Sequence, residues 1–551
     1  MSEHVVGPDD ATVVLDGESL TPEEVVLVAR RDAAVAVSED AREAVREARA
    51  RVEGVVDSGE AVYGINTGFG DLVDTRIGDD RVDELQTNLV RSHAAGAGRT
   101  LDREEVRAML CARINALVKG YSGIREVVVD HLLALLNAGV TPVVPSRGSL
   151  GASGDLAPLA HAMLVLLGEG EADVEPDGGH GGDSARRLSG EEALDEAGLE
   201  PLTLRAKEGL ALINGTQLSV GVAALLVHDA ERLLRAADAA GALTTEVTMG
   251  TTAASDPAIQ RVRPHAGQAA SAANVKRLCA DSGIVESHRN CDRVQDAYSV
   301  RCLPQVHGAV RDAVAHLRDA VAVELNAATD NPLVFPAGEV DRRTSGTRNA
   351  DVVSGGNFHG EPLALRLDYV TSALAELAAI AERRIDRLLN PHVQEDHLPP
   401  FLTAESGVRS GYMIAGYTAA SLVAECRREG RPSTDNAVVS GNQEDHVSLS
   451  ATSAYAARRA LGNARTVTAI ELLCAAQAAE FVDDDLAHGV GTGAAYGAVR
   501  AVVPPLEDDR PPRPDIAAAT ELIASGALDD ALSGALGEGW DAGENEGRNE
   551  G

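Results

Sequence analysis

From about residue 205 onward the chain is dominated by long alanine- and leucine-rich stretches whose apolar positions recur every three to four residues. Val310, Val314, Leu317, Val321 and Leu325 follow this spacing, and so do Leu374, Leu377, Ala381, Ile385 and Leu388. Such spacing lays one apolar stripe along a helix. With further helices expected over 217–240, 410–428 and 452–482, the set is long enough for a bundle. Aromatic residues are only 3% of the sequence, so alanine and aliphatic side chains must fill the core. Earlier helical patterns cover 22–57, 80–95, 102–118 and 124–138, and one more lies near 515–535.

The charge balance bounds the partners. Among 551 residues, 85 are acidic and 49 basic, a net charge of -36, and only Lys119, Lys207 and Lys276 are lysine. A field this negative argues against nucleic acid or an anionic membrane as partner. It suits a protein kept hydrated at high salt, and we read it as adaptation to the interior of a salt-loving cell. Cys111, Cys279, Cys291, Cys302, Cys426 and Cys474 form no CxxC pair, so no zinc signature and no metal are expected. They read as buried small hydrophobes or free thiols. The N-terminus lacks a basic and apolar leader, and no apolar run reaches the ~18 residues of a membrane span, so a cytoplasmic location is expected.

Chemistry concentrates in Gly151-Ala152-Ser153-Gly154-Asp155, placed just before a helix that carries Pro158 in its first turn. Glycine lets its backbone nitrogen approach a neighbouring carbonyl closely. Attack of the Gly154 nitrogen on the Ala152 carbonyl, with loss of water and of the Ser153 hydroxyl, would leave a methylidene-imidazolone. The helix N-terminus beyond would favour negative charge developing on that ring. The ordinary alternative is a Ser-Gly turn with Asp155 as N-cap.

The wider context favours the first reading. The run from Gly148 to His161, Gly-Ser-Leu-Gly-Ala-Ser-Gly-Asp-Leu-Ala-Pro-Leu-Ala-His, resembles the signature of the aromatic amino acid ammonia-lyase family. The resemblance extends over residues 8 to 505. It is carried by the blocks Tyr63–Gly70, Ser92–Gly98, Lys207–Gln217, Val294–Cys302, Thr329–Pro332, Ser354–His359 and Asn442–Ser448. It implies a mainly α fold, fumarase/aspartase-like, with an N-terminal globular domain carrying the electrophile and then a long central helical bundle. We place the boundaries at 1–205, 206–536 and an acidic, disordered tail at 537–551. The resemblance also implies a homotetramer with active sites shared between subunits.

It assigns roles as well. Ala152, Ser153 and Gly154 become 4-methylidene-imidazol-5-one, with no external cofactor. Such a site must remove a weakly acidic β-proton and a poor amine leaving group, so it needs a base and an electrophile. Tyr63 is the implied base. Arg301 is the implied bidentate clamp for the substrate carboxylate. Asn214, Gln295 and Tyr298 orient the amine, the carboxylate and the ring, and Phe358 packs near the ring. Substrate choice falls to His93 and Glu444, a pair that resembles the family members acting on histidine. A carboxylate and a second imidazole can satisfy both nitrogens of an imidazole ring. Glu444 can equally serve as acid or base. The implied reaction is L-histidine to trans-urocanate and ammonia. Action on tyrosine or phenylalanine, an aminomutase reaction and an inactive scaffold are the alternatives.

Several features stand outside this pattern. Residues 168–190 are Gly- and acid-rich and are expected as an exposed loop, with room for a short hairpin. Ala297 stands where many family members have proline. The Gly64–Gly70 stretch lacks the Lys-Ser/Thr of a phosphate loop, so nucleotide binding is rejected. His392, Glu395, Asp396 and His397 lie between Pro391 and Pro399 and read as a solvated loop and not a metal site.

Overall fold

The computed structural model describes residues 12–58, 62, 64–65, 78–175, 185–289, 294–341 and 351–543. Two compact units make up the chain. One comprises Met1–His228, Leu317–Asp368 and Arg431–Tyr455; the other comprises Asp229–His316, Tyr369–Gly430 and Ala456–Gly551. The fold is mainly helical, as expected, with strands of only three or four residues.

In the first unit, the pattern read as one helix over 22–57 is two helices, Pro22–Arg30 and Glu39–Ser58. Between them Val35–Val37 pairs in parallel with Val13–Leu15. The break follows from local sequence: Asp32 adopts a left-handed φ of 54°, and the Val-Ala-Val that follows suits a strand. Helices start where capping boxes stand, at Thr21 with Glu24, Asp102 with Glu105, and Ser189 with Glu192. The helix Arg103–Val118 is buried almost all round, so its polar side chains must find partners inside. Arg107 donates to the carbonyls of Val28 at 3.0 Å and Leu136 at 2.9 Å. The 168–190 segment supplies strands Glu171–Val174 and Arg186–Ser189, paired antiparallel beside Val140–Pro142.

The second unit has a core of small and aliphatic side chains, among them Ala236, Ala240, Leu278, Leu472, Val499 and Leu522. Its buried charges are paired: Asp238 accepts from His307 Nδ1 at 2.7 Å and Arg311 at 2.7 Å, and Arg384 donates to Glu471 at 2.5 and 2.9 Å. Burial alone would raise the Asp238 carboxyl, but Arg311 and His307 outweigh it and hold it at about 2. The single helix expected near 515–535 is two, Pro512–Ala524 and Ala527–Leu536, broken at Gly526 with φ 92°. Within the segment expected to be a disordered tail, Trp540 and Asp541 are buried, and Asp541 pairs with Arg311 at 3.1 Å. Cys111, Cys279, Cys302, Cys426 and Cys474 are free thiols; Cys291 lies outside the described residues. Among the described residues no helix is long and apolar enough to cross a membrane.

Candidate active site

The 148–155 loop turns on three glycines with left-handed φ: Gly148 at 138°, Gly151 at 70° and Gly154 at 74°. Gly154 has no room for a side chain, since a Cβ there would lie 2.2 Å from the Gly215 carbonyl oxygen. The two glycines run side by side, and the Asp155 N–H donates to that same oxygen at 2.6 Å. Next along, buried Asn214 donates from Nδ2 to the Ser153 carbonyl at 2.8 Å. Its Oδ1 is buried and has no hydrogen-bond partner among the described residues. The 442–450 segment closes the other side. Ser448 Oγ donates to Gly151 O at 3.0 Å, the Leu449 N–H to Leu150 O at 2.8 Å, and Ser153 Oγ reaches Glu444 Oε1 at 3.3 Å. Ser153 and Glu444 stand 291 positions apart in the chain.

Behind this loop the support is polar and buried. Arg113, on the Arg103–Val118 helix, donates to the carbonyls of Asn214 at 2.9 Å and Ala211, and to Gln217 Oε1 at 2.7 Å. It therefore fixes the backbone from which Asn214 reaches Ser153. Burial lowers its guanidinium to about 10, still cationic near neutrality. Asp155 makes no capping bond to its own helix, contrary to the ordinary alternative. Instead it accepts from Ser149 Oγ at 2.7 Å and from the Ser219 N–H at 2.8 Å, in the first turn of the helix Gln217–Val247. Burial raises its carboxyl above the usual range, against the pull of those hydrogen bonds. Lys207, in the left-handed region at φ 73°, is fully buried with Nζ 2.8 Å from Asp330 Oδ2. Arg113 and Asp155 thus hold the backbone around the triplet, while Lys207 and Asp330 form a separate buried pair.

His93 ends the helix Val82–His93 and is half-buried. Its Nδ1 lies 2.8 Å from the Leu89 carbonyl. A carbonyl only accepts, so Nδ1 carries the proton and Nε2 is left for a ligand. The chain beyond His93 is tied to both flanks of the triplet: the Gly96 N–H donates to His161 Nε2 at 2.8 Å on the helix after it, and Ala97 pairs with Arg147 on the strand before it. Phe358 is half-buried beside Asn357, whose Nδ2 donates to Ala328 O at 3.2 Å. Tyr63 lies outside the described residues; its neighbours Val62 and Ile65 are buried.

Gln295, Tyr298 and Arg301 belong to the second unit. Arg301 Nη1 donates to Gln295 Oε1, and its guanidinium carbon stands 5.5 Å from the Tyr298 ring centroid. Tyr298 is 72% exposed, so the three form one mutually oriented surface cluster. At 392–397, Glu395 pairs with Arg387 at 2.7 Å and His397 Nε2 lies 3.0 Å from Val247 O.

A family model for aromatic amino acid lyases matches residues 20–501. The chain belongs to that family. A protein named "Probable histidine ammonia-lyase" from Halobacterium salinarum is 63% identical over 524 residues, 95% of this chain and 98% of the relative. A histidine ammonia-lyase from Symbiobacterium thermophilum is 50% identical over 522 residues, again 95% and 98%. Among solved structures, histidine ammonia-lyase from Trypanosoma cruzi aligns at TM-score 0.86 and 40% identity over 97% of both chains. Tyrosine aminomutase from Streptomyces globisporus aligns at 0.87 and 38%, over 95% of this chain and 99% of that one. Likeness of fold within the family therefore does not separate histidine from tyrosine, and side chains at the site must.

Proposed function

We propose that this chain eliminates ammonia from L-histidine to give trans-urocanate, the first step of histidine degradation. The observation that carries the reading is the meeting of Glu444 with Ser153 at 3.3 Å, on a loop whose glycines leave no room for a side chain. The residues present fit a 4-methylidene-imidazol-5-one made from Ala152, Ser153 and Gly154. Gly154 is bare and held against Gly215, and Asn214 offers an unpartnered Oδ1 beside the Ser153 carbonyl. In its formation the Gly154 nitrogen joins the Ala152 carbonyl carbon, and two waters leave, one of them carrying the Ser153 hydroxyl. The group supplies an electrophile that takes up the amine so that it can depart.

This chain's own residues do the rest. Asn214 orients the ring, and Asp155 and Arg113 hold the backbone on either side of it. Glu444 and the lone pair on His93 Nε2 both accept, which matches the two N–H donors of a protonated substrate imidazole. A phenyl or phenol ring in that place would leave both groups unpaired, at a cost of about 1–3 kcal/mol each. Tyr63 is the base for the β-proton. Arg301 clamps the carboxylate, with Gln295 and Tyr298 beside it, and Phe358 packs against the ring. We place the enzyme in the cytoplasm as a homotetramer with sites shared between subunits.

A substrate panel tests the assignment. Histidine turned over much faster than tyrosine or phenylalanine, with urocanate as product, supports it. Faster turnover of tyrosine, or a β-amino acid product, overturns it.

A further inference from the structure

Away from the sequence motifs for metals, the fold brings together His359, Glu361 and His446, whose donor atoms all lie within 4.8 Å of one another. The two imidazoles stack in parallel, with centroids 5.5 Å apart and planes 3° from coplanar. His359 Nε2 faces the His446 carbonyl at 3.4 Å, so Nε2 carries the hydrogen and Nδ1 keeps its lone pair. The present partner of Nδ1 is a long contact from the Glu361 N–H at 3.3 Å. Glu361 Oε2 is shielded from solvent and has no hydrogen-bond partner among the described residues. An unpaired buried carboxylate oxygen is costly, and an ion is one of the few things that repays it.

We infer that His359, Glu361 and His446 bind a divalent transition-metal ion of the Zn2+ class, with solvent in the fourth position. Two imidazoles and one carboxylate form a nitrogen-rich donor set that suits Zn2+ and disfavours Mg2+ or Ca2+, which prefer all-oxygen cages. The His359 Nε2–H on a backbone carbonyl is the kind of orienting bond that ligating imidazoles make through their other nitrogen. Donors on a tetrahedral Zn2+ stand about 3.3 Å apart, given bonds of ~2.0 Å, so the cluster must tighten slightly. His446 is exposed and its ring is free to swing inward. It stands two residues from Glu444, so the ion would brace the segment that carries Glu444 to Ser153.

The test is Zn2+ binding to the metal-stripped full chain with its thiols blocked, followed by calorimetry and by metal analysis after dialysis. The expected result is one Zn2+ per chain, not displaced by excess Mg2+. His446→Ala and Glu361→Gln are each expected to weaken it at least about 10-fold. If Glu361→Gln fails to fold, exposed His446→Ala carries the test. Absence of stoichiometric Zn2+ in the wild type, or unchanged affinity in His446→Ala, overturns the inference. The readout is binding, so it stands apart from the reaction assigned above.

Discussion

Gly154→Ala is the sharpest structural probe of the loop. The added methyl would sit 2.2 Å from the Gly215 oxygen and 2.4 Å from its carbonyl carbon, both backbone atoms that no rotamer can move. Opening the contact to about 3 Å means a shift of close to 1 Å, which stretches the 2.6 Å Asp155 N–H bond to Gly215 and pulls Ser153 from Asn214. Holding alanine at φ 74° adds about 1–2 kcal/mol. Two disrupted hydrogen bonds add roughly 1–3 kcal/mol for each buried group left unpaired. A total of ~3–8 kcal/mol is a large share of a domain's 5–15 kcal/mol. The cheaper response is a locally rearranged loop, which separates the residue 154 nitrogen from the Ala152 carbonyl. Intact-mass spectrometry of the full chain reads this directly: the wild type is lighter than its sequence mass by two waters, and Gly154→Ala is not. Gly198→Ala is the control, because its φ of 69° is equally left-handed but a Cβ there meets nothing within 4 Å. It should process fully at a stability cost of ~1–2 kcal/mol. Full loss of two waters from Gly154→Ala would show that the close approach to Gly215 does not govern ring closure.

Other perturbations separate support from chemistry. Lys207→Met leaves the Asp330 carboxylate buried without its cation and should cost about 3–5 kcal/mol in denaturant titration, with part recovered by adding Asp330→Asn. Glu444→Gln removes a charged acceptor, so kcat/KM for histidine should fall about 10- to 100-fold, matching ~1.5–3 kcal/mol, and its preference for histidine over tyrosine should narrow. An unchanged preference would remove Glu444 from substrate choice. Burial lowers the pKa of His161, so the unfolded chain binds that proton more readily. Its contribution is complete above about pH 6.5 and is lost as pH falls through the folded value, with a slope of at most about 1.4 kcal/mol per pH unit, reduced by solvent screening. His161→Gln, which keeps an acceptor for the Gly96 N–H, should flatten that acid limb of a denaturation-midpoint profile.

What was legible in the sequence was local. The triplet, the helical stripes and the family blocks are contiguous, and the long helices formed where their apolar spacing put them. Chain breaks inside apparent helices were harder to see, because the cause at Val35–Val37 is a partner strand about twenty residues earlier in the chain, and the cause at Gly526 is one left-handed residue. Long-range polar support was not legible at all. Arg113 reads as one more charge on a helix until the surrounding chain buries it against Asn214. The 168–190 hairpin strands were visible only as a possibility, since acid-rich glycine segments carry little periodicity. The His359–Glu361–His446 cluster escapes spacing rules for the same reason, because its third member comes from 85 residues away from the second.

We propose that the Ala152-Ser153-Gly154 electrophile removes ammonia from histidine. The most direct test is urocanate formation, followed by ultraviolet absorbance, from L-histidine at high salt by the full chain beside Ser153→Ala. The wild type is expected to release urocanate steadily, and a Ser153→Ala protein that keeps its helical circular dichroism is expected to lose nearly all of that activity. Equal rates in the two proteins, or no urocanate from a wild type whose mass shows the loss of two waters, would contradict that assignment.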